Sequence, residues 1–114
     1  MTIQEISNII NAKVVCCKEF VYREIEYGFA SDLMSDVLTL DTENLVLITG
    51  LCNLQTIRTA EMADIECIVF VRNKKVLPEM RLLAYELDLV LLECPYSLFK
   101  TISMLHDSGL KPVY

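Results

Sequence analysis

The chain has 114 residues, 54% of them hydrophobic, and carries 10 Lys and Arg against 16 Asp and Glu, a formal net charge of −6. That length makes a single domain, 1–114, able to bury roughly two-thirds of its unfolded surface without disulfide or metal staples. The acidic balance repels a phosphate backbone and argues against nucleic acid as a partner, and the longest uncharged run, Asn44 to Ile57, is too short and too polar to span a bilayer.

In chain order, "TIQEISNIINA" spaces Ile3, Ile6, Ile9 and Ile10 as one helical face, with Thr2 and Glu5 in the capping-box pattern. "KVVCC" predicts a short strand, and "EIEYGFA" a second that alternates Ile25, Tyr27 and Phe29. "SDLMSDVLTL" predicts a helix with Leu33, Met34, Val37 and Leu38 on one face and Ser31 as its cap. "NLVLITG" is a near-continuous apolar run ending in glycine, as a strand buried on both faces requires. Then come "NLQTIRTAEMAD" as helix, "ECIVFV" as strand, "RNKK" as turn, and "PEMRLLAYELD" as a helix with Pro78 near its start. "LVLLE" is a strand, and "YSLFKTISMLHDSG" is a last helix stopped by Gly109.

Strands alternating with short helices predict an α/β fold, a largely parallel sheet of about five strands with helices on both faces. Ligands of such sheets gather beyond the carboxyl ends of the strands. Here that rim comprises Tyr27 to Ser35, Thr49 to Asn53, Arg72 to Lys75 and Cys94 to Ser97.

Asp32 and Asp36 stand four residues apart, directly after the predicted strand and at the opening of the predicted helix. Three readings are open, one of them a contact with a partner. As acids in the first turns of a helix they complement its positive end; as a pair they would hold a cation or hydroxyl groups. "TGLCN" is the anion-compatible corner: Thr49 and Gly50 close a buried strand, Asn53 caps the next helix, and no acid follows until Glu61. A glycine turn with an Asn cap accounts for the same residues without a ligand. Arg72 in "RNKK" is the nearby positive charge.

Five cysteines form no C-x-x-C pair, and adjacent Cys16 and Cys17 should point to opposite faces if both lie in a strand. With His106 the only histidine, no zinc set is evident, so the thiols read as small buried hydrophobes and no metal or cofactor is expected. No P-loop, G-x-G-x-x-G or G-x-S-x-G string occurs. The chain is therefore expected not to be an enzyme and to have no catalytic residue. "MTIQEISNIINAK" lacks the basic start of a secretory signal, which with the odd cysteine count predicts a cytoplasmic protein. A mean hydropathy of +0.41 is high for so small a core, and the surplus predicts a homodimer or a protein partner.

Read together, "YREIEYGFASDLMSDVL", "LVLITGLCN", "AEMADIECIVFVRNKKVLPEMRLLAYELDLVLLE" and "SLFKTISMLHDSGL" resemble the DRTGG domain family over nearly the whole chain. The block Ser31 to Asp36, the strand ending in Thr49 and the closing L-x-x-x-G-L at Leu105 to Leu110 carry the resemblance. The D-R-T-G-G string itself is absent; Tyr22-Arg23-Glu24 keeps its arginine and Tyr27-Gly28 one glycine. The resemblance implies a regulatory or accessory module related to the non-catalytic N-terminal domain of HPr kinase/phosphorylase; where family members sit beside CBS domains, this part forms a dimer interface and borders a nucleotide site. The expectation is thus a self-associating interaction module. The alternative is a sensor for a small phosphorylated or nucleotide ligand held by Ser31, Asp32, Thr49, Gly50, Asn53 and Arg72.

Overall fold

β3 (Leu45–Thr49) is buried along its whole length, as its unbroken apolar run requires of a strand covered on both faces. In the computed structural model, which describes all residues from Met1 to Tyr114, β3 lies inside a six-stranded sheet. The other strands are β1 (Lys13–Cys16), β2 (Tyr27–Ala30), β4 (Cys67–Phe70), β5 (Val90–Glu93) and β6 (Lys111–Pro112), in the order β1-β5-β4-β3-β2-β6. Every pairing is parallel except β1 with β5.

The helices are α1 (Ile3–Ile9), α2 (Met34–Val37), α3 (Leu54–Met62), α4 (Pro78–Glu86) and α5 (Leu98–Asp107). The chain steps from β2 to β5 across the sheet in one direction, so right-handed crossovers carry α2, α3 and α4 over one face. The return from β5 to β6 carries α5 over the other. The packing agrees: α3 touches both α2 and α4, while α5 touches α1. Phe70, Leu47, Ile68, Leu91 and Leu92 are fully buried between these layers.

Local chemistry sets the element ends. The Thr2–Glu5 capping box forms, with the Glu5 backbone N–H donating to Thr2 Oγ1 at 3.1 Å and the Thr2 N–H donating to Glu5 Oε1 at 3.0 Å. Pro78 opens α4. The four longer helices all end in the same way, with a left-handed residue followed by an N–H that reaches back five residues: Ala12 to Ser7, Ile65 to Ala60, Leu89 to Ala84 and Leu110 to Leu105. Gly109 is the glycine expected at such a stop; Asn11, Asp64 and Asp88 fill the same position elsewhere.

The structure departs from the sequence expectation at four places. α2 has only four residues and is not capped by Ser31, whose Oγ instead accepts from the Leu33 N–H two residues on. With one turn there is no long apolar stripe: Met34 and Val37 are buried while Leu33 and Leu38 are exposed. Cys17 has φ +60°, outside β1, so its side chain folds back beside that of Cys16 with the sulfurs 3.6 Å apart, rather than facing the opposite way. Cys16, Cys17, Cys67 and Cys94 are buried free thiols, and Cys52 is only partly buried. Burial pushes the Cys17 thiol up to about 12, which keeps it protonated. Finally, the tail forms a sixth strand, β6, where none was expected.

Candidate functional site

β2, β3 and β4 run parallel, so the segments that follow Ala30, Thr49 and Phe70 emerge side by side at one rim. Asp32 leaves the end of β2 and turns toward β3. Its Oδ1 accepts from Thr49 Oγ1–H at 2.9 Å and from the Gly50 N–H at 2.7 Å. Thr49 is fully buried, and its Oγ1 in turn accepts from the Leu51 N–H at 3.1 Å. A carboxylate thus occupies the turn after β3.

Arg72 completes the cluster from the end of β4. Its Nη2 lies 3.9 Å from Asp32 Oδ2, and its guanidinium covers the place where a side chain on Gly50 would begin. Gly50 is needed for that close approach. The two charged side chains are 54% and 51% exposed, so their attraction is screened and worth little by itself. The Gly50 N–H bond is the main reason the Asp32 carboxyl is held below its ordinary range; partial burial opposes this, and Thr49 and Arg72 add to it.

The remaining sequence-predicted residues flank this group. Asn53 caps α3, its Oδ1 accepting from the Thr56 N–H at 3.1 Å. Ser31 is engaged in its own turn and makes no bond to Thr49, Gly50 or Arg72. Asp36 lies in α2, and its carboxylate makes no ion pair with Arg72; no three His, Cys, Asp or Glu side chains converge on one point. The strand-end N–H that the sequence left free at Gly50 is taken by Asp32, because a nearby carboxylate is a stronger acceptor than water at a partly shielded amide.

The crevice between β4 and β5, where one loop leads to α4 and the next to α5, is where ligands of open α/β sheets enter. Here it is bridged by the backbone: the Arg72 N–H donates to Tyr96 O at 2.8 Å and the Asn73 N–H to Cys94 O at 3.0 Å. Arg72 and Asn73 both have positive φ to make these bonds. None of the five clefts on the molecule is lined by Asp32, Thr49, Gly50, Asn53 or Arg72.

Sequence reading missed a second feature. Gly28 on β2 lies against Leu110, whose Cδ2 sits 2.6 Å from the position a Cβ would take. Beside this contact is an apolar cleft of about 110 Å³ between α5 and the β2–β6 edge, bordered by Ala30, Ile48, Ile102, His106 and Pro112. The signal was present as the separated pair Gly28 and Leu110, but only the tertiary fold joins them. No helix of the chain is long and apolar enough to cross a membrane.

No family model and no curated protein matches the chain. Among solved structures it is similar to the crystal structure of the CBS and DRTGG domains of the regulatory region of Clostridium perfringens pyrophosphatase, complexed with the activator diadenosine tetraphosphate. The TM-score is 0.76 at 11% identity, over 98% of this chain and 48% of that one. The chain therefore spans about half the length of that structure, and the likeness is one of fold.

Proposed function

We propose that the protein is a non-catalytic regulatory module that self-associates and mediates protein interaction. The observation that carries this reading is the closure of the strand-end rim. Asp32 is bonded to Thr49 and Gly50, Arg72 covers Gly50, and the β4 and β5 loops are bonded to each other, so the usual reaction space of an α/β sheet is filled by the chain. Exposed apolar side chains occur at the rim, as Leu33 and Leu54, and also away from it on α5. Phe99 is 83% exposed, and with Ile102 and His106 it forms one stripe of α5 beside the apolar cleft. That stripe, Phe99, Ile102, Ser103 and His106, contains no carboxylate, so two copies of an acidic chain meet there with little like-charge repulsion. The fold shared with a pyrophosphatase regulatory region supports a regulatory role. Light scattering over micromolar concentrations tests it; a monomer mass throughout would overturn self-association.

A second reading is a sensor of a small phosphorylated or nucleotide ligand, favoured by the diadenosine tetraphosphate in the similar regulatory structure. The ligand anion would displace the Asp32 carboxylate from the Gly50 N–H and Thr49 hydroxyl, take Arg72 as its counter-charge, and reach the start of α3 at Asn53, with Ser31 and Asp32 left for its hydroxyls. A thermal-shift screen with nucleotides and acyl phosphates separates the readings, because a ligand at 100 times its Kd adds about 2.7 kcal/mol. No shift with any of them rejects the sensor.

A further inference from the structure

β1 is an end strand of the sheet: β5 pairs with one edge, and its other edge carries no strand. An unpaired edge turns alternate backbone N–H and C=O groups outward, ready to pair with another extended chain. Along it runs a shallow cleft of about 230 Å³ lined by Lys13, Val14, Val15, Lys18 and Arg81. Three of the ten Lys and Arg residues of a chain with net charge −6 therefore line one cleft. None of the three takes part in any of the five ion pairs, which use the N-terminus, Arg23, Arg72, Lys75 and Lys111. All three are exposed. Glu93, across from Lys13 in the ladder, is occupied by Lys75 and the Val76 N–H, and Glu19, the acid next to Lys18, does not line the cleft.

The geometry points to the β1 edge as a docking site for an acidic, extended polypeptide segment, which adds to the sheet as a further strand with its carboxylates against Lys13, Lys18 and Arg81. Val14 and Val15 supply the apolar contacts between the charges. A second copy of this chain is a poor occupant, because antiparallel pairing of two β1 edges about Val15 brings Lys13 of each copy near Lys18 of the other. The bulge between Val14 and Cys16 shortens the regular edge, so the added strand is short. This inference rests on the reading of the protein as an interaction module, but it uses the opposite end of the sheet from the α5 stripe beside β2 and β6.

The test uses the full chain and a fluorescein-labelled (Glu-Val)4 peptide, followed by fluorescence anisotropy. Binding is expected to weaken with salt and to fall at least about tenfold, close to 1.4 kcal/mol, in Lys13→Glu/Lys18→Glu. The same peptide N-methylated at alternate residues keeps its charge and loses strand pairing, and should bind at least about tenfold more weakly as well. Equal binding of the two peptides would reduce the cleft to a general anion patch and overturn strand addition; no binding of either, or binding unaffected by the charge reversal, overturns the site altogether. Light scattering without peptide reads self-association separately, so the two proposals fail independently. Lys13→Gln/Lys18→Gln, which removes charge without adding repulsion, guards against loss through misfolding.

Discussion

Asp32 and Gly50 are joined across two strands: Oδ1 of the carboxylate accepts the glycine N–H at 2.7 Å and ties the end of β2 to the end of β3. The same oxygen accepts the buried Thr49 hydroxyl, so one side chain satisfies two donors that the strand end would otherwise leave unpaired.

Asp32→Ala should therefore destabilise the fold by roughly 1–2 kcal/mol, the low range for a charged acceptor because Asp32 is half exposed. Asp32→Asn should cost less, since its amide oxygen still accepts. The pH dependence has a definite sign. The Asp32 pKa in the fold lies below its ordinary 3.8, so its contribution is present above that value and is lost as pH falls through the lowered folded value. Urea melts between pH 2.5 and 6 should show a wild-type decline below about pH 4 that is shallower in Asp32→Asn; parallel curves would remove Asp32 from the acid response.

Gly50→Ala should act through Arg72. Gly50 has no positive φ, so alanine strains no backbone there, but its Cβ takes the space of the guanidinium. Arg72 is half exposed and can swing away, which limits the loss to about 1 kcal/mol or less. The decisive measurement is a double-mutant cycle: Gly50→Ala should be nearly neutral in an Arg72→Ala background. A full effect there means that the glycine serves something other than the arginine.

The strands and longer helices were legible because their patterns are local. "LVLIT" has no polar break, Thr2 and Glu5 are three residues apart, and Asn53 stands directly before its helix. The role of Asp32 was not legible. "SDLMSD" reads locally as a cap and first turn, and only the parallel pairing of β2 with β3 brings Gly50 N–H within reach of the carboxylate. Cys17 was misplaced for a similar reason, since αL is uncommon for cysteine and nothing nearby in sequence announces it. β6 escaped because two residues, one of them Pro112, carry no alternation to read.

The helix ends offer a stabilising change. Asp64 holds φ +55° in the position that Gly109 fills after α5. Glycine removes a left-handed penalty of about 1–2 kcal/mol but adds unfolded-state freedom worth about 0.4–1. Asp64→Gly should thus gain roughly 0.5 kcal/mol, seen as a rise of a few degrees in Tm. A fall in Tm would show that the Asp64 side chain contributes more than its backbone costs.

Gly28→Ala tests the joint between β2 and the tail. An added Cβ would meet Leu110 Cδ2 at 2.6 Å and Cγ at 3.3 Å, and Leu110 is nearly buried, so it has little room to give way. Overpacking of this kind costs about 1–3 kcal/mol. The affected contact sits where the Lys111 N–H bonds to Glu26 O and β6 pairs with Tyr27 and Gly28, so the strain should free the tail before it melts the sheet. Hydrogen exchange should show faster loss of protection at Leu110 and Lys111 than in β3. If self-association uses α5, Gly28→Ala should also weaken it by loosening the adjoining tail, and Phe99→Glu should abolish it while leaving exchange in β3 unchanged. A dimer that survives Phe99→Glu places the interface on another face, and protection lost equally in β3 makes Gly28 a residue of the whole core rather than of the tail joint.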